Sequence, residues 1–289
     1  MILFIFWSLL NMFHDFLYKK ITVNILMMLY FKFTFIFFFS LILIFLGYKN
    51  IKKISFNSLL YLFKWNLFKS VFSLFGMYFV YKQITIYSFF SLNLMFYTIP
   101  LWEFIINTLI YNNRINIKNN FFIAINHLII LTYFMYNIYL YGIYNYVYGF
   151  LSAIMFSISN LLIIKTKETW KKSKYFLIFD ILIFSYFMML FNQCILIYNK
   201  VSFNLSSIIG NYYLYMYLIV GLVIQYLLYY FFFRKYESPS VILSNIDLIT
   251  SFILDLHLGH NYNILELFVI GMIILNKYWQ KRIDKRNDI

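Results

Sequence analysis

The sequence predicts an all-α integral membrane protein whose ten transmembrane helices form two inverted five-helix repeats. Three observations predict it. The 289-residue chain is 63% hydrophobic and only 12% charged, with a mean hydropathy of +0.76. Its apolar residues run in stretches of about 20, the length that crosses a hydrocarbon core of about 30 Å. Its Lys and Arg gather in alternate gaps between those stretches. A soluble domain of this length has too little interior to hide so much apolar surface.

The spans are expected, in order, at 1–18, 21–47, 56–81, 85–111, 121–141, 143–164, 174–198, 212–233, 239–258 and 262–280. Seventeen of the twenty-four basic residues lie in every second gap or in the C-terminal tail. They are Lys49/Lys52/Lys53, Arg114/Lys118, Lys165/Lys167/Lys171/Lys172/Lys174, Arg234/Lys235 and Lys277/Lys281/Arg282/Lys285/Arg286. The other gaps hold only Lys19, Lys20, Lys82 and Lys200, while Lys32, Lys64 and Lys69 sit inside spans. Lys and Arg are retained on the cytoplasmic side during insertion, so both termini are expected there. The expected location is a bacterial inner membrane. The net charge of +14 is spread over short connections, which suits anionic lipid headgroups and argues against nucleic acid.

Composition carries a second message. Phe and Tyr number 37 and 29, and Ala occurs only at Ala124 and Ala153. Such usage is expected of an AT-biased genome, so an aromatic here is weak evidence of a ligand box. Cys194 stands alone, which rules out an intrachain disulfide framework. The first span lacks a basic leader and a small-residue cleavage site, and is expected to remain as a helix.

The chain divides into halves at 1–141 and 142–289. Phe13 to Lys20 in span 1 can be laid on Ile158 to Lys165 in span 6, which matches Asp15 with Asn160 and Lys20 with Lys165. Spans 4–5 and 9–10 share a long span, a short polar gap and a short span. Five spans per half is odd, so the second half must insert upside down relative to the first.

At Tyr97-Thr98-Ile99-Pro100-Leu101-Trp102, followed by an apolar run to Asn112-Asn113, the chain resembles the drug/metabolite transporter superfamily of the EamA type. Leu256-His257-Leu258-Gly259-His260 and Gly271 take the matching places in the second half. The family's usual Glu is Asn113 after span 4 and His260 after span 9. Asp15, Lys32, Lys64 and the spacing to Pro100 resemble the S-adenosylmethionine transporter branch of intracellular bacteria. The resemblance implies ten helices in two inverted halves, a central cavity that holds the substrate, and transport of a small metabolite by alternating access.

Ionisable groups inside spans cost roughly 2.5–3.5 kcal/mol each at the helix centre, so they should face the bundle interior or water. Helical spacing groups several of them. Span 1 carries Ser8, Asn11 and Asp15. Span 3 carries Asn66, Lys69, Ser73 and Gly76. Span 4 carries Asn93, Tyr97, Pro100, Glu103 and Asn107, and span 9 carries Ser240, Ser244, Asp247, Ser251 and Asp255. The expected substrate-binding residues are Asp15, Lys32, Lys64, Tyr97, Glu103, Asn160 and Asp247. The acids would meet an amine, Lys32 or Lys64 a carboxylate, and Tyr97 or Trp102 a ring or cation. Pro100 interrupts the backbone ladder of span 4 and is the expected gating joint. The same polar stripes equally serve as glue between helices. Lys69, Lys82, Asp255 and Glu266 lie near span ends, where snorkelling explains them as well. His14 and His127 read as satisfied helix-interface groups.

The expected partners are a small solute and the lipid bilayer, with a homodimer as the assembly and no nucleic acid. No cofactor and no metal are expected. There is no Walker A loop, no H-E-x-x-H and no G-x-S-x-G, so the chain reads as a non-enzyme. Two other readings remain open at the level of sequence. One is a membrane enzyme acting on lipid through Asp255, His257 and His260, and the other is a drifted scaffold without transport.

Overall fold

The computed structural model describes residues 2–21, 23–47, 55–86, 89–111, 117–142, 144–170, 174–201, 210–233, 245–259, 262 and 264–287. These residues form helices and turns, with no strand among them. In chain order the helices are α1 (Ile2–Lys20), α2 (Ile25–Leu46), α3 (Phe56–Ile86), α4 (Phe89–Phe96), α5 (Ile99–Tyr111), α6 (Ile117–Tyr141), α7 (Tyr144–Trp170), α8 (Lys174–Tyr198), α9 (Tyr212–Phe233), α10 (Asn245–His257) and α11 (Ile264–Asn287).

Local chemistry sets the visible boundaries. Asn24 caps α2, its side chain accepting the Leu26 N–H at 2.9 Å, and Gly47 closes the far end. Asn211 accepts the Leu214 N–H at 3.1 Å and opens α9. The expected fourth span is two helices. α4 ends at Phe96, Tyr97 and Thr98 form a turn, and Pro100 sits in the first turn of α5, where a missing N–H costs nothing. The Thr98 hydroxyl donates to the Met95 carbonyl at 2.6 Å and satisfies backbone freed by the break.

Four described helical segments are long and apolar enough to cross a membrane: Ile25–Leu46, Tyr146–Lys167, Phe176–Tyr198 and Tyr212–Tyr229. The long α3 carries Lys64, Lys69 and Lys82, and α4 and α5 are each too short alone. The distribution of polarity is inverted relative to a water-soluble fold. Phe45 is 73% exposed and Lys32 only 5%. Lys69, Asp180, Asn66, Asn192 and Ser185 are buried, while Phe38, Leu109, Leu128 and Ile264 face outward. That pattern is compatible with an apolar exterior medium, because polar side chains there find partners only inside the bundle.

α3 packs along α7, and both α2 and α3 lie on α8. α1 packs on α9 and α10, α9 on α2, α5 on α7, α10 on α4, and α11 on α6. Small residues permit the close α3–α7 approach. Ser73 and Ser159 share a hydrogen bond at 2.7 Å, and Gly76 lies against the Phe156 ring. Two apolar clusters result. The larger joins α1, α2, α3, α7, α8 and α9 around Met28, Phe33, Leu62, Ile181 and Tyr217. The smaller joins α4, α6, α7 and α11 around Leu94, Ile130, Phe134, Tyr146 and Ile273, with Tyr97 in the turn after α4.

Candidate functional site

A cavity of about 240 Å³ lies where α1, α2, α3, α7 and α9 meet the α4–α5 break. Polar groups from five of these elements line it: Asn11, His14 and Asp15 from α1, Lys32 from α2, Asn93 from α4, Asn160 from α7 and Gln225 from α9. Trp7, Tyr81, Phe96 and Phe156 supply aromatic wall.

One side of the cavity is a connected charge network. Lys32 Nζ lies 3.2 Å from His14 Nε2, and His14 Nδ1 lies 3.6 Å from Asp15 Oδ1. An ammonium has only donors, so Nε2 accepts and the ring proton is assigned to Nδ1, facing the carboxylate. His14 also stacks on the Tyr217 ring at 4.0 Å, with Lys32 over the same ring at 5.4 Å. The Tyr217 and Tyr81 hydroxyls are hydrogen-bonded, and the Tyr18 hydroxyl donates to the Tyr81 carbonyl at 3.5 Å. Gly221 on α9 lets this wall pack closely, since a side chain there would make the end of Lys32 shift. A Cβ there would stand 2.9 Å from Lys32 Cε and 3.2 Å from His14 Nε2. Across the cavity, Asn160 Nδ2 donates to Glu103 Oε1 at 2.9 Å.

The structure brings together three of the expected binding residues, Asp15, Lys32 and Asn160, and places Glu103 directly behind Asn160. It does not bring Tyr97 and Lys64 there. Tyr97 is buried in the smaller apolar cluster. Lys64 is exposed, with its ammonium 5.6 Å from the centre of the Trp65 ring. Asp247 belongs to α10, with its side chain outside the described residues. Pro100 opens α5 one residue after Ile99, which lines the cavity. His14, satisfied as expected, also faces the cavity.

Three of the groups that snorkelling would have explained as well are interior. Lys69 pairs with Asp180 at 3.3 Å, Tyr133 donates to Glu266 at 2.9 Å, and Tyr262 donates to Asp255 at 3.0 Å. Asp255 is thus held by a tyrosine, His257 is exposed, and His260 lies outside the described residues. Among the described residues no three His, Cys, Asp or Glu side chains gather as metal ligands.

The Glu103–Asn160 bond is open to direct measurement. A double-mutant cycle with Glu103→Ala and Asn160→Ala, read by unfolding in detergent, is expected to give a coupling of about 0.6 kcal/mol and no more than about 2. Glu103→Gln keeps an acceptor oxygen and should keep most of it.

No protein-family model matches the chain, and no curated protein matches it.

Proposed function

We propose that the protein is a secondary membrane transporter of a small organic metabolite, working by alternating access between two inverted five-helix halves. The observation that carries this reading is the cavity: charged and amide groups from both halves converge beside a helix broken at Tyr97–Thr98. Discontinuous helices at such a site are typical of inverted-repeat transporters. When α4 and α5 count as one segment, the described helices make ten. Pairing α1 with α7, α2 with α8, α3 with α9, α4–α5 with α10 and α6 with α11 then exchanges the packing partners. The α3–α7 contact becomes α9–α1, α3–α8 becomes α9–α2, and α5–α7 becomes α10–α1. The α2–α8, α6–α11 and α4–α10 contacts map onto themselves. A two-fold axis in the membrane plane supplies the physical reason for such an exchange.

The volume favours a compact solute, since 240 Å³ lies below the roughly 300–1,000 Å³ of drug-sized pockets. Asp15 would take the solute's amine, Lys32 its carboxylate, and Trp7 or Tyr81 an apolar or cationic portion. S-adenosylmethionine has the first two groups and is the first solute to test, although its drug-sized bulk requires the cavity to widen on binding; free amino acids, which the present volume fits, are the second arm. Cells expressing the chain are expected to accumulate labelled solute above vector controls. Failure of the whole panel, with the protein demonstrated in the inner membrane, would refute transport of this class.

A further inference from the structure

A second polar network lies apart from the cavity. Lys69 of α3 holds Asp180 of α8 at 3.3 Å and donates to the Tyr229 hydroxyl of α9 at 2.6 Å. The Thr166 hydroxyl of α7 donates to the other Asp180 oxygen at 3.1 Å, and Asn66 donates to the carboxylate as well. Lys69 is 1% exposed and Asp180 0%. None of these side chains lines the cavity.

This network and the cavity wall are counterparts. A constant shift of 148 positions carries Tyr18 to Thr166, Lys32 to Asp180, Lys69 to Tyr217 and Tyr81 to Tyr229. The wall network contains Lys32 and Tyr81, which line the cavity, with Tyr217 and Tyr18 bonded behind them, and the sealed network contains Thr166, Asp180, Tyr229 and Lys69. One register chosen to match one pair therefore matches three more. It also preserves contacts. Lys69 bonded to Tyr229 corresponds to Tyr217 bonded to Tyr81, and Lys69 on Asp180 corresponds to Tyr217 against Lys32. Asn66, His14 and Asp15 fall outside the correspondence, their shifted positions being Leu214, Leu162 and Ile163. The two sets lie toward opposite ends of α9 and, on α3, at its middle and toward its C-terminal end. Twelve residues, about 18 Å of helix, separate their members on each. On α9 the cavity-lining Ile224, Gln225 and Leu228 lie between Tyr217 and Tyr229.

We infer that the Lys69–Asp180–Tyr229–Thr166 network is the closed inner gate of the transport path, and that the Tyr18–Lys32–Tyr81–Tyr217 set is its outer counterpart. The inference rests on the transport reading. The network joins the last turns of α7 and α9 and the early part of α8 to the middle of α3, where Lys69 is the fourteenth of thirty-one residues. Those parts of α7, α8 and α9 adjoin the Lys165–Lys174 group and Arg234/Lys235, basic segments of the kind retained in the cytoplasm. In this state one network opens on the cavity and its twin is sealed. Alternating access requires the two to trade roles, which breaks the Lys69–Asp180 contact and exposes both groups to the solute path.

Sided thiol labelling tests this without a solute. In a Cys194→Ser background, Ile224→Cys places one thiol in the cavity. A membrane-impermeant cationic thiosulfonate is then applied to vesicles of each orientation. Tyr229→Phe and Asp180→Asn are expected to raise the labelling rate at least tenfold from the cytoplasmic face alone, and Tyr81→Phe from the opposite face alone. Lys69→Met/Asp180→Leu, an apolar seal, should leave the cytoplasmic face closed. If folded Tyr229→Phe and Asp180→Asn proteins, checked by size-exclusion profile, label at the parent rate or rise equally from both faces, the gate is refuted and the network is a structural pin. Solute uptake is scored separately. Uptake with unsided labelling refutes the gate alone, and sided labelling without uptake keeps the network as a sided barrier while refuting transport of this solute class.

Discussion

Lys69→Met is expected to destabilise the protein by about 3–5 kcal/mol, and adding Asp180→Leu is expected to return stability to the parent level or above it. The argument turns on which group is left behind. Asp180 is fully buried, and its carboxylate is held by Lys69, Asn66 and Thr166. Removing the ammonium leaves an anion with two neutral donors in a low-dielectric interior, and those donors do not offset its desolvation. Removing both charges eliminates the penalty altogether, and hydrophobic replacements of buried pairs range from neutral to about 4 kcal/mol more stable. Tyr229 loses a 2.6 Å hydrogen-bond partner in both variants, which caps the recovery by about 1–3 kcal/mol. Adding Tyr229→Phe removes that cap. The measurement is reversible unfolding in mixed micelles for the parent, both single variants and the double. A Lys69→Met protein within about 1 kcal/mol of the parent would mean that the pair carries little of the fold.

The all-helical class and the long apolar helices were legible because hydropathy acts over whole segments, and single-residue drift does not erase it. The side-chain sites were legible only where charge made a residue dear to bury. Asp15 and Lys32 declare themselves in an apolar run, and the structure brings both to one cavity. Lys64 declares itself equally, yet faces outward over Trp65, because periodicity alone does not say which face of a thirty-one-residue helix is inside. Lys69 carried the same charge signal, but snorkelling near a span end explained it as well as an interior role. Its burial depends on Asp180, 111 residues away, and no local pattern links the two. Tyr18, Tyr81, Tyr217 and Tyr229 were invisible among 29 tyrosines. The internal correspondence shows the same limit. Matching Asp15 to Asn160 sets a register of 145, and the paired networks set 148. The difference of three is just under one helical turn, so both registers keep a residue near the same face, and only three-dimensional contacts separate them.

Lys32→Gln and Asp15→Asn are each expected to weaken solute binding on the order of a hundredfold, while Lys64→Gln changes it by less than about twofold. Truncating one member of a buried charged contact costs about 2–5 kcal/mol, and each 1.4 kcal/mol is tenfold. Lys32 meets that condition, whereas Asp15 is a quarter exposed and counts as a charge that lines the cavity. Lys32 is buried against His14 and Tyr217, and Asp15 faces the His14 ring proton, so either loss removes a charge the solute would meet and disturbs the chain of contacts behind it. Lys64 meets neither condition, being exposed and far from the lining. The readout is solute-dependent thermal stabilisation of the purified protein, which reports occupancy of the folded state without requiring transport. The double variant Lys32→Gln/Asp15→Asn separates two pictures. If the two charges hold opposite ends of one zwitterion, their losses add, because each severs a different bond. If they serve the solute only as a unit through His14, the second loss costs little beyond the first. A Lys64→Gln effect as large as that of Lys32→Gln would place the solute outside this cavity, and would return the assignment to the sequence pattern that ranked the two lysines alike.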